Sequence, residues 1–260
     1  MNGRMNWLKP YAGRIALLSL VVLVSFIWHL PASWVFQKLG IEKQLPPQLA
    51  LSEMSGSWWQ GQTQLNWQKQ SLGQVQWQWH PSALFTGEVA IDLALSSPQN
   101  QLDGQAVLTL DGVQLASISG GIKIANLAKI PALALLDQAQ GEMVLKALSV
   151  SLPWDNLQSP LPWPSAISGQ VALVDFSAMG MTLPLVEASP KLDDKGVTLT
   201  VNGRGQGWQL SGQTWLSPDR VFAHDLTLTA NSQNAMPDWA GLMMRQTSPT
   251  QALLKARGRW

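Results

Sequence analysis

Residues 74–79 read Gln-Val-Gln-Trp-Gln-Trp, an unbroken alternation of polar and apolar side chains. Successive side chains of a β-strand point to opposite faces, so this pattern predicts a strand with one apolar and one solvated face. The same period of two recurs at residues 65–67, 89–95, 106–110, 197–201 and 222–228. Half-buried strands of this kind are typical of antiparallel sheets. The predicted fold class is all-β and mainly antiparallel, arranged as two β lobes, a curved open sheet or a sandwich.

Glycine-containing pairs flank many of these runs and predict hairpin turns. The pairs are Leu72-Gly73, Asp103-Gly104, Asp111-Gly112, Gly120-Gly121, Lys195-Gly196 and Asn202-Gly203. Two stretches of the body look helical: residues 131–137 begin with proline, and residues 238–244 begin with Asp238 as a capping residue. The proline-rich stretch 152–164 predicts a connection between two lobes. Those lobes would cover residues 51–151 and 165–260.

An uncharged segment, residues 15–36, precedes the body. Its ~22 residues would span about 33 Å as a helix, enough for the ~30 Å hydrocarbon core of a bilayer. The segment is therefore predicted to be a transmembrane helix. The competing interpretation is a cleaved signal peptide, because the most purely apolar run within this segment is shorter than the segment itself, and signal peptides have short apolar regions. Pro31 and Trp34 at the candidate cleavage site disfavour it.

The residues that flank the apolar segment predict its orientation. Arg4, Lys9 and Arg14 precede it, so the positive-inside rule places residues 1–14 in the cytoplasm and the body in the periplasm. Trp28 and Trp34 are predicted to lie at the outer interface, where tryptophan is enriched. The chain is thus predicted to be a single-pass inner-membrane protein. Residues 37–50 would form a stalk between the bilayer and the first lobe.

Composition excludes several classes of function. Without the three N-terminal cations, the 17 Lys and Arg residues fall to 14, against 16 Asp and Glu. A slightly acidic body with no basic stripe is a poor partner for nucleic acid. The chain has no cysteine, which excludes disulfides, thiolate zinc sites and cysteine nucleophiles. The body is expected to fold by apolar packing and strand pairing alone.

Residues with catalytic potential are few and scattered. His29, His80 and His224 do not lie at metal-ligand spacing, and no nucleophile elbow or phosphate-binding loop is present. Asp193 and Asp194 form a carboxylate pair, but flanking lysines predict a solvated turn. We therefore predict no catalytic residue, no metal site and no cofactor.

Tryptophan dominates the aromatic residues, with 14 Trp against 5 Phe and 1 Tyr. Trp67, Trp77 and Trp79 alternate with polar residues and are predicted to face the core. Trp58 and Trp59 are adjacent, so a regular strand would expose one of them, unless a bulge intervenes. An exposed tryptophan would suit a partner interface or the membrane surface.

The order of these features resembles the general secretion pathway protein N family of type II secretion systems. The resemblance is carried by the basic N-terminus and apolar segment (residues 14–34) and by Gly56-Ser57-Trp58-Trp59-Gln60-Gly61, close to the family's Gly-Thr-x-Trp-x-Gly signature. The spaced residues Leu65, Trp67, Val75, Trp77, Trp79, Pro81, Leu84 and Gly87 follow in family order. Serine replaces the threonine of the signature. The second half of the chain matches the family only in length and in its general strand pattern.

The resemblance implies a non-enzymatic, inner-membrane component of the machinery that exports folded proteins across the outer membrane. Its implied partners are other type II secretion proteins, namely the inner-membrane platform and the linker to the secretin. We predict that Gly56, Trp58, Trp59 and Gly61 form an interaction segment.

Two other functions compete with this one. An anchored body of repeated short strands resembles AsmA-type proteins, in which an open β-groove shields lipid between membranes. An alternating strand pattern fits a packed core and a lipid-lined groove equally well. An anchored periplasmic hydrolase is the third class, disfavoured by the lack of catalytic residues.

Overall fold

The computed structural model describes residues 9–40, 49–67, 70–98, 100–127, 138–157, 162–178 and 180–259. In these ranges the helices are α1 (Lys9–Trp28), α2 (Ala32–Leu39), α3 (Ile124–Leu127), α4 (Trp154–Leu157) and α5 (Ala240–Met243). Short 3-10 turns cover Pro81–Thr86 and Gln233–Ala235. All the other regular structure described is β.

Fourteen strands occur in the described ranges. They are β1 (Leu49–Gly56), β2 (Gln60–Trp67), β3 (Gln70–His80), β4 (Val89–Ser97), β5 (Asn100–Leu108), β6 (Gly112–Lys123), β7 (Gln140–Pro153), β8 (Ala166–Ala178), β9 (Met181–Asp193), β10 (Gly196–Gly205), β11 (Trp208–Leu216), β12 (Val221–Ala230), β13 (Arg245–Ser248) and β14 (Gln251–Arg259). Twelve of the neighbouring pairs, β1–β2, β2–β3 and those from β4–β5 onward, are antiparallel. The all-β, antiparallel prediction is confirmed.

The chain divides into two compact units, residues 1–78 and 79–260. In the first unit α1 and α2 precede a three-stranded meander in the order β1-β2-β3. In the second unit the strands follow chain order from β4 to β12, and then β14 and β13. Sequential hairpins of this kind make a meander, in which most strands bond to the one formed just before them.

The predicted division at residues 152–164 stays a prediction. In the structure, β7 and β8 on either side of this stretch are paired neighbours, with Val150 opposite Ile167. Residues 131–137, predicted as helical, lie outside the described residues. Most of the predicted stalk, residues 41–48, also lies outside them.

The N-terminal helical segment is confirmed, but its bounds differ from the predicted 15–36. Helix α1 ends at Trp28, and Pro31 is extended, with φ −62° and ψ 137°. The pyrrolidine ring disfavours a helical residue before it, so the helix stops and α2 starts anew at Ala32. Among the described residues, no helix is both long and apolar enough to cross a membrane.

Glycine pairs predicted the turns with mixed success. Asp111-Gly112 and Lys195-Gly196 do lie at hairpin turns, whereas Leu72-Gly73, Asp103-Gly104, Gly120-Gly121 and Asn202-Gly203 lie inside strands. Close approach of neighbouring backbone explains one of these errors. Gly120 has φ +130°, and a Cβ there would lie 2.0 Å from the main-chain oxygen of Gln101. The residue is glycine because β5 passes too near for a side chain.

The main apolar cluster of the second unit lies where the chain folds back on its own sheet. Side chains from β9, β11, β12 and β14 form the sheet side of the cluster, and residues 232–244, here called the C-terminal cap, form the other side. Trp239 of the cap meets Trp208 edge-on, with ring centroids 5.8 Å apart. The predicted helix at 238–244 is confirmed as the short α5, but Asp238 does not cap it. The N-cap position is Trp239, without a side-chain capping bond.

Candidate functional site

The segment Gly56–Gly61 forms a tight hairpin turn between β1 and β2. Ser57 N donates to Gln60 O at 2.8 Å, and Gln60 N donates to Ser57 O at 3.3 Å. Trp58 and Trp59 are the two residues enclosed by this pair, so neither belongs to a strand. The turn frees both side chains from strict alternation, and both are half-buried.

The two glycines of the segment are required by close packing. Gly56 has φ +93°, and a Cβ there would lie 2.6 Å from the main-chain oxygen of Gln60. A Cβ on Gly61 would lie 2.5 Å from Ser55 O and 2.5 Å from Cζ2 of Trp77. The Trp77 ring thus occupies the space beside Gly61, its partner across the β2–β3 pair. The spacing of the glycines follows from this geometry.

Both tryptophans of the turn hold the end of α1. The indole Nε1 of Trp58 donates to Ile27 O at 2.7 Å, and that of Trp59 donates to Trp28 O at 2.9 Å. The last four carbonyl groups of a helix have no partner within the helix and need donors from elsewhere. We call this pair of indoles the tryptophan clamp. It joins the hairpin turn to the last turn of the helix.

Further contacts fix the chain just after α1. Trp58 N donates to Leu30 O at 3.2 Å, and Pro31 forms a β-bridge with Ser57. The rings of Trp28 and Trp59 lie 4.9 Å apart between centroids. Such pairs add stability beyond the apolar area that they bury. The end of α1 is therefore held by both backbone and ring contacts.

Trp77 is a buried residue that contacts the tryptophan clamp. It is 8% exposed, and its Nε1 donates to Trp58 O at 3.3 Å. Its ring lies 5.4 Å from that of Phe36 on α2. The prediction that Trp77 faces the core is confirmed. Trp67 and Trp79 are half-buried.

The structure brings together most of the residues that the sequence singled out. Gly56, Trp58, Trp59 and Gly61 converge with Trp28 at the end of α1, while Trp34 lies on α2 with half of its surface exposed. Lys9 begins α1, and Arg14 is an exposed residue of that helix. Arg4 lies outside the described residues. Sequence reasoning missed the bonds between the turn and the helix, although both stretches are rich in tryptophan.

A histidine–carboxylate pair in the second unit was also missed. His80 Nε2 and Asp92 Oδ2 are 2.6 Å apart, joining β3 to β4, and Gln105 donates to the other carboxylate oxygen at 2.9 Å. The hydrogen bond from His80 lowers the pKa of Asp92 below its ordinary value, with a smaller contribution from Gln105. The side chains of His80 and Asp92 are 38% and 51% exposed. A pair of this kind, exposed to solvent, ties two strands together.

The remaining titratable candidates are bound into local structure. His224 Nδ1 and Thr214 Oγ1 lie 2.9 Å apart across β11 and β12. Asp193 accepts bonds from the backbone of its own turn, as predicted for a loop tip. Within the described ranges no group of three or more potential metal ligands converges.

Comparison with known proteins identifies the family of this chain. The family model described as type II secretion system (T2SS), protein N, matches residues 47–250. A protein of Vibrio cholerae serotype O1 named type II secretion system protein N is 31% identical over 169 residues, covering 61% of this chain. The matched part is 64% of that relative's length, less than two thirds of it. No solved structure matches the chain significantly.

Proposed function

Because the chain belongs to the type II secretion system protein N family, we propose that it is a non-enzymatic component of the type II secretion machinery. In this role it takes part in the export of folded proteins across the outer membrane by contacting other proteins of the machinery. The observation that carries the proposal is the family match over residues 47–250. That range contains the whole Gly56–Gly61 turn and nearly all of the sheet.

The proposal includes an inner-membrane anchor formed by α1, with the N-terminus in the cytoplasm. Large apolar side chains on every side of this helix are exposed: Leu17, Leu18, Leu20, Val21, Val22, Leu23, Val24, Phe26 and Ile27. Phe26 and Leu18 are each 68% exposed. A helix that is apolar all round needs apolar surroundings, which a bilayer supplies. Arg14 at its N-terminal side supports the cytoplasmic orientation.

Reporter fusions test this orientation in cells. Alkaline phosphatase fused after Trp260 is expected to be active, and the same enzyme fused before Arg14 is expected to be inactive. The reverse pattern would overturn the orientation. Recovery of the body as a soluble species from intact cells would overturn the anchor.

Within this proposal, Gly56, Trp58, Trp59 and Gly61 act in assembly. The tryptophan clamp fixes the anchor to the β1–β2 hairpin, and both tryptophans are only half-buried, which leaves surface for a partner. The partners proposed are the inner-membrane platform and the linker to the secretin. Interface tryptophans in central positions typically cost ~2 kcal/mol or more of binding energy when truncated to alanine.

Single alanine substitutions test the role of the segment. Trp58→Ala and Trp59→Ala are made one at a time in the full chain, with Trp154→Ala as control, since Trp154 is also part-exposed (40%) but lies in the second unit. At least one clamp variant is expected to keep the melting temperature while weakening cross-linking to the secretion platform and lowering secretion. If both variants unfold the body, the segment is ordinary core. If neither changes stability or secretion, the segment is not where assembly occurs.

A lipid-shielding β-groove is the alternative function. The C-terminal cap disfavours it in one part of the sheet, because Trp239, Ala240 and Met244 are buried against the apolar face there. Native mass spectrometry of the protein extracted with lipid distinguishes the two functions. We expect no stoichiometric phospholipid beyond the annulus of the anchor. One phospholipid retained by each isolated body would favour the groove.

A further inference from the structure

Helix α2 carries three faces of different chemistry on eight residues. Successive residues of a helix are rotated by about 100°, so Ala32 and Phe36 share one face and Ser33 and Gln37 share a second. The third side is a broad arc of about 140° that runs from Trp34 through Lys38 and Val35 to Leu39, which borders the face of Ala32. Three distinct faces on so short a helix indicate three distinct neighbours.

The first face packs on the hairpin of the first unit. Ala32 is fully buried, and the Phe36 ring lies 5.4 Å from the ring of Trp77. The helix ends at Gly40, which has φ 64° and donates its N–H to the carbonyl of Gln37. These contacts fix the rotation of α2 about its own axis. The orientation of the other two faces is thereby set.

On the third side Trp34, Lys38 and Leu39 are exposed, and Val35 is half-buried. Trp34 is 50% exposed and Leu39 is 62% exposed. The ammonium group of Lys38 lies 6.0 Å from the centroid of the Trp34 ring, within reach of a cation–π contact. Tryptophan and a long cation beside aliphatic residues are the composition of a membrane-interface surface.

The chain places α2 next to the outer end of α1. Only His29, Leu30 and Pro31 separate Trp28 from Ala32, a distance of at most about 15 Å when extended. The tryptophan clamp holds this connection at Ile27 O and Trp28 O, and the backbone N–H of Trp58 holds it at Leu30 O. The headgroup layer on each side of a bilayer is roughly 5–7 Å thick. If α1 ends at the outer interface, α2 begins in or beside that layer.

We infer that α2 is an interfacial helix whose Trp34–Leu39 face lies in the headgroup region of the phospholipid bilayer. Ser33 and Gln37 then face water, and the Lys38 ammonium reaches the lipid phosphates. The inference rests on the proposed insertion of α1 and adds a second, monotopic contact. That contact fixes the tilt of the first unit over the membrane.

The cysteine-free chain allows a direct test. Single cysteines are introduced in the full-length protein as Trp34→Cys, Leu39→Cys, Ser33→Cys and Gln37→Cys and labelled with a nitroxide. Leu23→Cys on α1 reports separately on the anchor. The samples are reconstituted into bilayers of phosphatidylethanolamine and phosphatidylglycerol. Collision with oxygen, which partitions into lipid, is compared with collision with a water-soluble nickel chelate.

The expected ratio of oxygen to nickel accessibility is severalfold higher at positions 34 and 39 than at the matched controls 33 and 37. Position 23 is expected to show the highest ratio. If position 23 is lipid-exposed while positions 34 and 39 match 33 and 37, the interfacial helix is refuted and the anchor stands. If position 23 is open to the nickel chelate, the anchor proposal fails. In that case the interfacial helix, which rests on the insertion of α1, fails with it.

Discussion

The indole nitrogen of Trp58 donates a hydrogen bond to the main-chain oxygen of Ile27, 2.7 Å away and 31 positions earlier in the chain. With the bond from the Trp59 indole to Trp28 O, it adds side-chain donors at the end of α1, where Ile27 O also accepts from Leu30 N at 3.3 Å. Bonds between side chain and backbone resist rotation of the helix as well as separation. A displacement of α1 is therefore transmitted to the hairpin, and from there to β3 by strand pairing.

We expect Trp58→Phe to loosen the clamp without unfolding the body, because it keeps an aromatic ring while removing the donor and part of the indole. A net hydrogen bond contributes about 0.5–1.5 kcal/mol. Amide hydrogen exchange at His29 and Leu30 should accordingly accelerate by roughly fivefold, as expected for a loss of about 1 kcal/mol. The measurement is made on the full chain in nanodiscs.

Trp67→Phe is the matched control for this loosening. Trp67 lies in the same unit, and its Nε1 is buried without a hydrogen-bond partner in the described structure. Replacing it removes an indole donor that bonds to nothing there. Equal acceleration at His29 in both variants would mean that the bond from Trp58 does not hold the helix.

Gly61→Ala is expected to destabilise the first unit. The added Cβ would lie 2.5 Å from both Ser55 O and the Trp77 ring, so either the strand pair or the indole must shift. Overpacking of this kind typically costs about 1–3 kcal/mol. The thermal midpoint should fall by several degrees, followed by circular dichroism. Gly241→Ala is the control, because nothing lies within 4 Å of a Cβ there, and a midpoint unchanged in both variants would contradict the packing argument.

The alternation of polar and apolar residues predicted the fold class, because a period of two shows which face of a strand is buried. This pattern is a property of each strand alone. Hairpin positions were harder to predict. Gly120 resembles a turn glycine in sequence, yet it is glycine because Gln101 O lies where its Cβ would be. That requirement belongs to two strands at once. It is invisible until their register is known.

The candidate site, too, could be predicted from the sequence only in part. The glycines and tryptophans of residues 56–61 stood out in sequence, and the family resemblance has been confirmed. What the indoles bind could not be predicted, because the acceptors are backbone oxygens of Ile27 and Trp28, which have no side-chain signature. The bond between His80 and Asp92 was missed for a similar reason. It depends on the pairing of strands rather than on a motif.

Asp193 makes the hairpin between β9 and β10 sensitive to acid. Its carboxylate accepts bonds from Lys195 N at 2.8 Å, Thr198 Oγ1 at 3.0 Å and Gly196 N at 3.1 Å. These bonds, that of the Lys195 N–H foremost, hold the pKa of Asp193 below its ordinary value of 3.8. A carboxylate with a depressed folded pKa stabilises the fold above its unfolded pKa. That stabilisation is lost as pH falls from 3.8 through the lower folded value.

Asp193→Asn should therefore lower the free energy of unfolding at neutral pH and have less effect in acid. Urea unfolding of the full chain, measured at about pH 7 and at steps below the ordinary carboxyl pKa, gives the difference between variant and parent at each pH. Asp194→Asn changes the neighbouring carboxylate of the same turn and is the control. A difference for Asp193→Asn that stays constant down to the lowest pH would show that the hydrogen bonds do not depend on its charge.

The C-terminal cap is expected to depend on the ring of Trp239 and not on its indole nitrogen. The residue is 9% exposed and meets Trp208 edge-on at 5.8 Å, whereas its Nε1 has no hydrogen-bond partner among the described residues. Trp239→Ala should cost about 3–5 kcal/mol through the cavity that it leaves. Trp239→Phe should cost less, since it keeps a six-membered ring and loses an unbonded donor together with only part of the ring volume.

Thermal unfolding and limited proteolysis of residues 232–244 measure these effects together. Leu242→Ala is the control on the same helix, because Leu242 is 87% exposed and should leave both measurements unchanged. If Trp239→Ala leaves the midpoint intact and exposes the cap to protease, the cap is a separable lid over the apolar face of β9, β11, β12 and β14. Phospholipid bound by that variant and not by the parent would then favour the lipid-groove function. Loss of the fold with no bound lipid would identify the same face as core, as the burial of Leu228 at 0% exposure indicates.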